Sequence, residues 1–406
     1  MPRVPQPGMA ILSVALALGA GAGVVLQTAY PSSKRASTPA CRWLICSTGA
    51  ILEEARGSLQ QLGPAEAAQA RSAFLEALRR DPASASRWSD VAEATWLTGD
   101  YASARYAYGR AAVLAPNSPP VLLQAAGFHF RTGHPRDALP LTSHLLALTR
   151  DYDSAVFLLY NRSGLALDDL LRSGIPRTAA VPFFDATLAA GSVDDAKIVW
   201  AWMGAQGLQD QKAGGRYVER LLRAGGYGEA RGVWSALTGP GEYPERNCLY
   251  NGSFAHEFSG APFDWATPAT EHVQEARDPA VSLDRGVSLR VTFDGAANVD
   301  YRGAWQIAVV TPGAYMLRAW IKAEGITTDS GLAIHAFDAE TPARLDVRTA
   351  AVTGTTGWVA VEKPVRVMPG TNLVKVQLAR QPSMKIDNRI AGTAWVGKIE
   401  LRPEHR

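Results

Sequence analysis

At 406 residues the chain is long enough for two domains with sizeable cores. Its 41 basic and 38 acidic residues leave a formal charge of +3, without the clustered Lys and Arg of a nucleic-acid surface, so no nucleic-acid partner is expected. Cys41, Cys46 and Cys248 form neither a CxxC nor a Cys/His pair at zinc spacing, which argues against a structural metal.

The first element in chain order is an apolar run, "MAILSVALALGAGAGVVL", from Met9 to Leu26, with only Arg3 charged ahead of it. As a helix rising about 1.5 Å per residue, such a run nearly crosses a bilayer core. No clean A-x-A cleavage site follows it, and Cys41 lies too far beyond it for a lipoprotein signal. The expectation is an uncleaved signal-anchor over residues 1–29, with a cleaved signal peptide as the alternative. The protein would then be a single-pass cell-membrane protein, its soluble domains extracytoplasmic, in the periplasm or at the cell surface. A polar linker, 30–48, comes next; its Cys41 and Cys46 are either a small disulfide or two free thiols.

From residue 49 to 152 the chain repeats itself every 34 residues. Ala70, Phe74, Ala77 and Pro82 recur as Ala104, Tyr108, Ala111 and Pro116, and then as Ala138, Thr142 and Leu145. In the middle unit Trp88 opens one helix and Gly99-Asp100-Tyr101 makes a turn. Ala104, Tyr108 and Ala111 then line one face of a second helix, which Pro116 ends. Small residues there let two helices approach closely, and the aromatic ring fills the gap between them. The pattern resembles the tetratricopeptide family over 51–84, 85–118 and 119–152. That resemblance implies a solenoid of helical pairs whose concave surface binds a protein partner. Family members that clamp a C-terminal carboxylate use Lys and Asn on the inner helix. Ser89, Glu93, Leu123 and Gly127 stand at the matching positions, so that clamp is not expected. A degenerate run completes the helical region, 153–245. There Gly191, Ala196 and Trp200 recur as Gly225, Ala230 and Trp234, while residues 153–176 read as irregular.

Near Cys248 the period changes to two, opening a domain over 246–406. Strands are expected at 288–293, 305–310, 314–323, 331–337, 358–367, 372–380 and 394–401, separated by turn signals such as "TPG", "TGTTG" and "MPG". Seven or eight strands without a helix indicate an antiparallel jelly-roll β-sandwich. The opening "NGSF", Trp265, "SLRVTF", "WQIAVVTPGAYMLRAWIKA", Trp358 and the closing "AWVGKIEL" resemble galactose-binding-like sandwiches, in particular carbohydrate-binding modules of the family 4/9 type. Such modules commonly hold a calcium with an acid after the opening motif and another in the last strand. Ala255 and Gly397 occupy those positions, so no metal and no cofactor are expected.

Alternation along the strands assigns Tyr315, Leu317, Ile321, Leu332, Ile334, Val374, Val376 and Leu378 to the core. Arg318, Trp320, Lys322, His335, Phe337, Lys375 and Gln377 then point the other way. If these faces share one sheet, Arg318, Trp320, His335, Phe337 and Gln377 form an aromatic and polar ligand-binding surface suited to sugar. Otherwise the face packs on the helical repeats. No nucleophile elbow, phosphate loop, HExxH or EF-hand spacing occurs, and no catalytic residue is assigned.

The fold class expected is thus multidomain α + β: a transmembrane helix, a tetratricopeptide solenoid and a jelly-roll sandwich. The function expected is a non-enzymatic, membrane-anchored envelope scaffold that binds a protein partner and either binds polysaccharide or docks, in cell-envelope or exopolysaccharide assembly or export. A purely structural protein–protein adaptor is the main alternative. An envelope glycosidase or lyase would need two converging carboxylates.

Overall fold

The computed structural model describes residues 48–59, 64–239 and 247–404. The apolar run 9–26, Cys41 and Cys46 lie outside the described residues. Among the described residues no helix is long and apolar enough to cross a membrane, which overturns the expected single-pass location. The chain divides after Phe183 into two compact units.

In the first unit the helices are Thr48–Leu59 (α1), Pro64–Arg80 (α2), Ala85–Leu97 (α3), Tyr101–Leu114 (α4), Pro119–Arg131 (α5), Pro135–Leu148 (α6) and Asp153–Ser163 (α7). The 34-residue period is written into their boundaries: Ala85 and Pro119 begin equivalent helices, as do Tyr101 and Pro135, while Arg80, Leu114 and Leu148 end them. The recurring positions Ala70, Phe74, Ala77, Ala104, Tyr108, Ala111, Ala138, Thr142 and Leu145 are all buried. Each turn needs a left-handed residue after the first helix of a pair, and Gly99 (φ 85°) and Gly133 (φ 78°) supply it. Asp100 then caps α4 by accepting from the Ser103 amide at 3.1 Å.

Glu93, which a carboxylate clamp would replace with a donor, is spent internally. Arg131 donates to its two oxygens at 2.8 and 2.6 Å, the Tyr108 hydroxyl donates to it as well, and Arg131 lies 4.0 Å from the Trp96 ring centre. Residues 153–176, read as irregular, are largely helical: α7 is followed by a turn at Leu167–Asp169 and a π-helical turn at Leu170–Gly174. The 34-residue template does not apply here because a different anchor holds the segment. The buried Tyr160 hydroxyl donates to Thr142 Oγ1 at 2.7 Å and to the Gly174 carbonyl at 3.0 Å.

The second unit starts within helix Ala180–Ala190 (α8) and continues with Val193–Ala205 (α9), Gln211–Arg223 (α10) and Tyr227–Thr238 (α11). Phe184, Trp200 and Tyr217 pack mutually at centroid distances of 5.3, 5.7 and 5.5 Å. Trp234 of α11 is fully buried and meets Tyr250 edge-on at 5.6 Å, joining these helices to the segment that opens the sandwich.

Nine strands follow: Val273–Asp278 (β1), Ser288–Asp294 (β2), Tyr301–Val309 (β3), Gly313–Ile326 (β4), Ala333–Asp338 (β5), Asp346–Arg348 (β6), Gly354–Val367 (β7), Leu373–Arg380 (β8) and Ala391–Pro403 (β9). They form two antiparallel sheets, β1-β2-β9-β4-β7 and β3-β8-β5-β6, whose inner faces enclose one core. All seven expected strands are present. β1, "VQEARD", and the three-residue β6 are additional, and neither shows an apolar alternation.

The opening segment is a buttress of this core. Phe254 and Trp265 are fully buried, and the Trp265 indole donates to the Asn251 carbonyl at 2.9 Å. Asp264 holds the turn by accepting from the Ser259 amide at 2.7 Å and the Trp265 amide at 2.8 Å. Arg277 donates to the Phe254 and Ala255 carbonyls at 2.9 and 2.8 Å, placing a cation of the chain itself beside the position that the resemblance assigns to a metal-binding acid. Among the described residues no group of three or more His, Cys, Asp or Glu converges as a metal site. At the far end of β8 the buried Arg380 ties loops together, donating to Ser330 O at 2.8 Å, Asn298 Oδ1 at 3.1 Å and Thr328 Oγ1 at 3.2 Å.

Candidate functional site

The outer face of the four-stranded sheet is built by strand alternation. Ala304, Gln306 and Ala308 of β3, Val374, Val376 and Leu378 of β8, and Ile334 and Ala336 of β5 point inward and are buried. Their neighbours Trp305, Ile307, Lys375, Gln377, His335 and Phe337 therefore point outward. Strand register sets these side chains in two rows. Trp305 pairs with Gln377, Gln377 with His335, and His335 with Arg348. Next to them run Ile307, Lys375, Phe337 and Asp346, also paired in that order. With neighbouring strands about 4.8 Å apart, each row is roughly 14 Å long, enough for a short oligosaccharide.

The rows are closely coupled. His335 and Phe337 lie 4.6 Å apart at 32°, so the two rings form one tilted aromatic surface. The Lys375 ammonium sits 3.8 Å from the Trp305 ring centre and 6.0 Å from that of Phe337, bridging the two aromatic ends. Its partial burial lowers its pKa. His335 Nε2 is 2.8 Å from Asp346 Oδ1. Burial pushes the imidazole pKa down, Asp346 opposes that shift, and Arg348 and Arg302 reinforce it. Gln377 is buried and donates one amide hydrogen to the Gly303 carbonyl at 3.3 Å.

Trp305 owes its position to a break in register between Arg302 and Trp305, a β-bulge on β3. A side chain at Gly303 would overlap the Tyr301 hydroxyl, so the bulge needs glycine. On its other edge Trp305 exchanges backbone hydrogen bonds with Ala266, both at 2.9 Å, which fixes the strand that carries the indole.

The five residues expected to form one surface are divided between two. His335, Phe337 and Gln377 come together on this face. Arg318 and Trp320 belong to β4 and lie on the outer face of the five-stranded sheet, so the expectation that they share a surface with the others is corrected. Alternation gives the side of a strand but not the sheet it joins, and β4 pairs with β7 and β9. There Arg318 and Lys398 stand 5.7 and 5.6 Å from the Trp320 ring centre. Arg318 pairs with Glu362 at 2.6 Å, and Lys398 and Arg402 pair with Glu400 at 2.5 and 2.6 Å. Trp305, Lys375, Asp346 and Arg348 were not assigned to a site from sequence. The parity that picked out Gln377 also points to Lys375, whereas nothing in "WQIAVV" marks Trp305 as outward until β3 is paired.

No protein-family model and no curated protein matches the chain. Solved structures similar to its C-terminal region include TmCBM61 in complex with beta-1,4-galactotriose, 17% identical, with a TM-score of 0.29, covering 39% of this chain and 100% of that one. The CBM22-1 xylan-binding domain from Paenibacillus barcinonensis Xyn10C is 13% identical over 37% of this chain and 91% of its own, with a TM-score of 0.27. A CBM4 structure is 12% identical over 38% and 99%, with a TM-score of 0.28. Identities and scores this low assign no ligand to this chain.

Proposed function

We propose that this chain is a non-catalytic scaffold whose sandwich binds a polysaccharide on the outer face of the four-stranded sheet. The observation that supports this most is the clustering of Trp305, Phe337 and His335 around Lys375, with Gln377 between the rings. Flat rings offer apolar surface to the C–H faces of sugars, and the polar groups among them offer hydrogen bonds that fix orientation. A binding role suits the carboxylates better than hydrolysis does. Asp346 is engaged by His335, and Asp338, the other acid of these strands near the rows, is buried inward with Thr371 donating to it at 2.6 Å. Glycoside hydrolysis needs two carboxyl groups flanking one bond.

The helical pairs of the first unit, with their 34-residue period, are proposed to act as a tetratricopeptide array that recruits a protein partner. The two activities together would deliver a polysaccharide to an assembly or export complex.

Affinity electrophoresis of the full chain through gels containing single polysaccharides tests the first proposal. Retardation by at least one polymer is expected, and Trp305→Ala or Phe337→Ala weakens it about tenfold, equivalent to about 1.4 kcal/mol. A chain that migrates freely through every polymer is an adaptor without sugar binding, and the proposal fails.

A further inference from the structure

We infer that the polymer bound by this face is an acidic glycan, one whose sugars carry carboxylate or sulfate groups, with Lys375 as the residue that reads the charge. The inference rests on the polysaccharide-binding reading above and narrows its ligand class. Lys375 occupies the middle of its row, between Ile307 and Phe337, and its ammonium is partly withdrawn from water against the Trp305 ring. Among the described residues it has no carboxylate within ion-pair distance, and neither does Arg348 at the end of the adjacent row. The acids closest by register are already committed: Asp346, opposite Phe337, to His335 at 2.8 Å, and Asp338, opposite Val374, to Thr371 at 2.6 Å.

A partly desolvated ammonium without a counter-ion is a standing cost to the fold. A ring face returns only part of the lost hydration. An anionic group arriving with the ligand returns more, because charge-assisted hydrogen bonds are roughly twice as strong as neutral ones. The outer face of the other sheet makes the contrast: there Arg318, Lys398 and Arg402 each have a Glu partner. The cations beside Trp320 are neutralised within the protein and Lys322 lies over the Trp395 ring at 5.1 Å, whereas on the aromatic face Lys375 and Arg348 are left for a ligand.

The test uses the full chain and four probes in affinity gels and calorimetric titration: polygalacturonate, the same polymer with its carboxyls reduced to alcohols, dextran sulfate and dextran. The acidic polymers should bind at least tenfold more tightly than their neutral counterparts, with a preference that shrinks as salt is added. Lys375→Met keeps an apolar stem on Trp305 and should lose most of that preference. Lys375→Gln should lose it equally, and Lys322→Met on the other sheet should leave it intact. Preference for polygalacturonate over dextran sulfate identifies the charge as carboxylate, and the reverse identifies sulfate; either supports an acidic ligand. Equal binding of charged and neutral polymers, or a preference that survives both Lys375 substitutions, overturns the inference while the polysaccharide-binding reading stands. Binding to none of the probes overturns the inference, and the wider gel survey then decides whether any polysaccharide binds. Circular dichroism melts confirm that each variant is folded.

Discussion

Glu275 on β1 reaches across the edge of the sandwich toward the bulge that positions Trp305. Its Oε1 accepts from the Tyr301 hydroxyl at 2.6 Å, while Oε2 is buried without a hydrogen-bond partner. Burial raises its pKa, and the bonds from Tyr301 and the Ala304 amide only partly offset that rise. A carboxyl whose folded pKa lies above its unfolded value holds its proton longer in the folded state. The stability it contributes is complete below an unfolded pKa of about 4.3 and is lost as pH rises through the folded value. Glu275→Gln keeps an acceptor for Tyr301 and removes the titration. Its melting temperature relative to the unsubstituted protein should therefore climb from pH 4 to pH 8; a difference independent of pH would mean that folding does not shift the Glu275 pKa. None of this was legible beforehand, because "VQEARD" has no apolar alternation to mark Glu275 as inward. The candidate residues were legible to the same depth: parity turned His335, Phe337 and Gln377 outward, as they lie in their strands, but parity is local and sheet membership is not. Trp320 and Gln377 have the same parity signal, and only pairing across distant strands separates them.

At the scale of elements, the helical pairs depend on small residues at fixed places. Along α4 the buried positions are Ala104, Ala107, Tyr108 and Ala111, a single stripe at helical spacing, while Ala102 is exposed. Ala111→Leu forces a larger side chain into a filled interface and should destabilise the protein by about 1–3 kcal/mol in urea unfolding. Ala102→Leu on the same helix should change stability by no more than about 0.5 kcal/mol. Equal effects at both positions would show that the stripe does not carry the packing. The repeat was readable because a 34-residue period preserves both the stripe and the turn glycine. Residues 153–176 escaped it because Tyr160 anchors them through its hydroxyl, an interaction with no fixed spacing. Among strands, apolar pattern decided legibility: β1 and β5 are both six residues long, but only β5 was marked by its apolar residues, and the three residues of β6 are too few to show a pattern.

At the scale of the whole molecule, the sandwich offers two aromatic outer faces of different electrostatic character. One carries Trp305, Phe337 and His335 around a cation with no acidic partner among the described residues. The other carries Trp320, whose neighbouring cations are paired with acids. The proposed polysaccharide site is the first of these faces. Hydroxyl-radical footprinting of the full chain, with and without a retained oligosaccharide, tests this most directly, because it reports the solvent exposure of individual rings. Trp305 and Phe337 should become protected on binding while Trp320 and Trp358 stay as reactive as before. Protection of Trp320 and Trp358 with Trp305 unchanged would contradict the account and move the site to the five-stranded sheet.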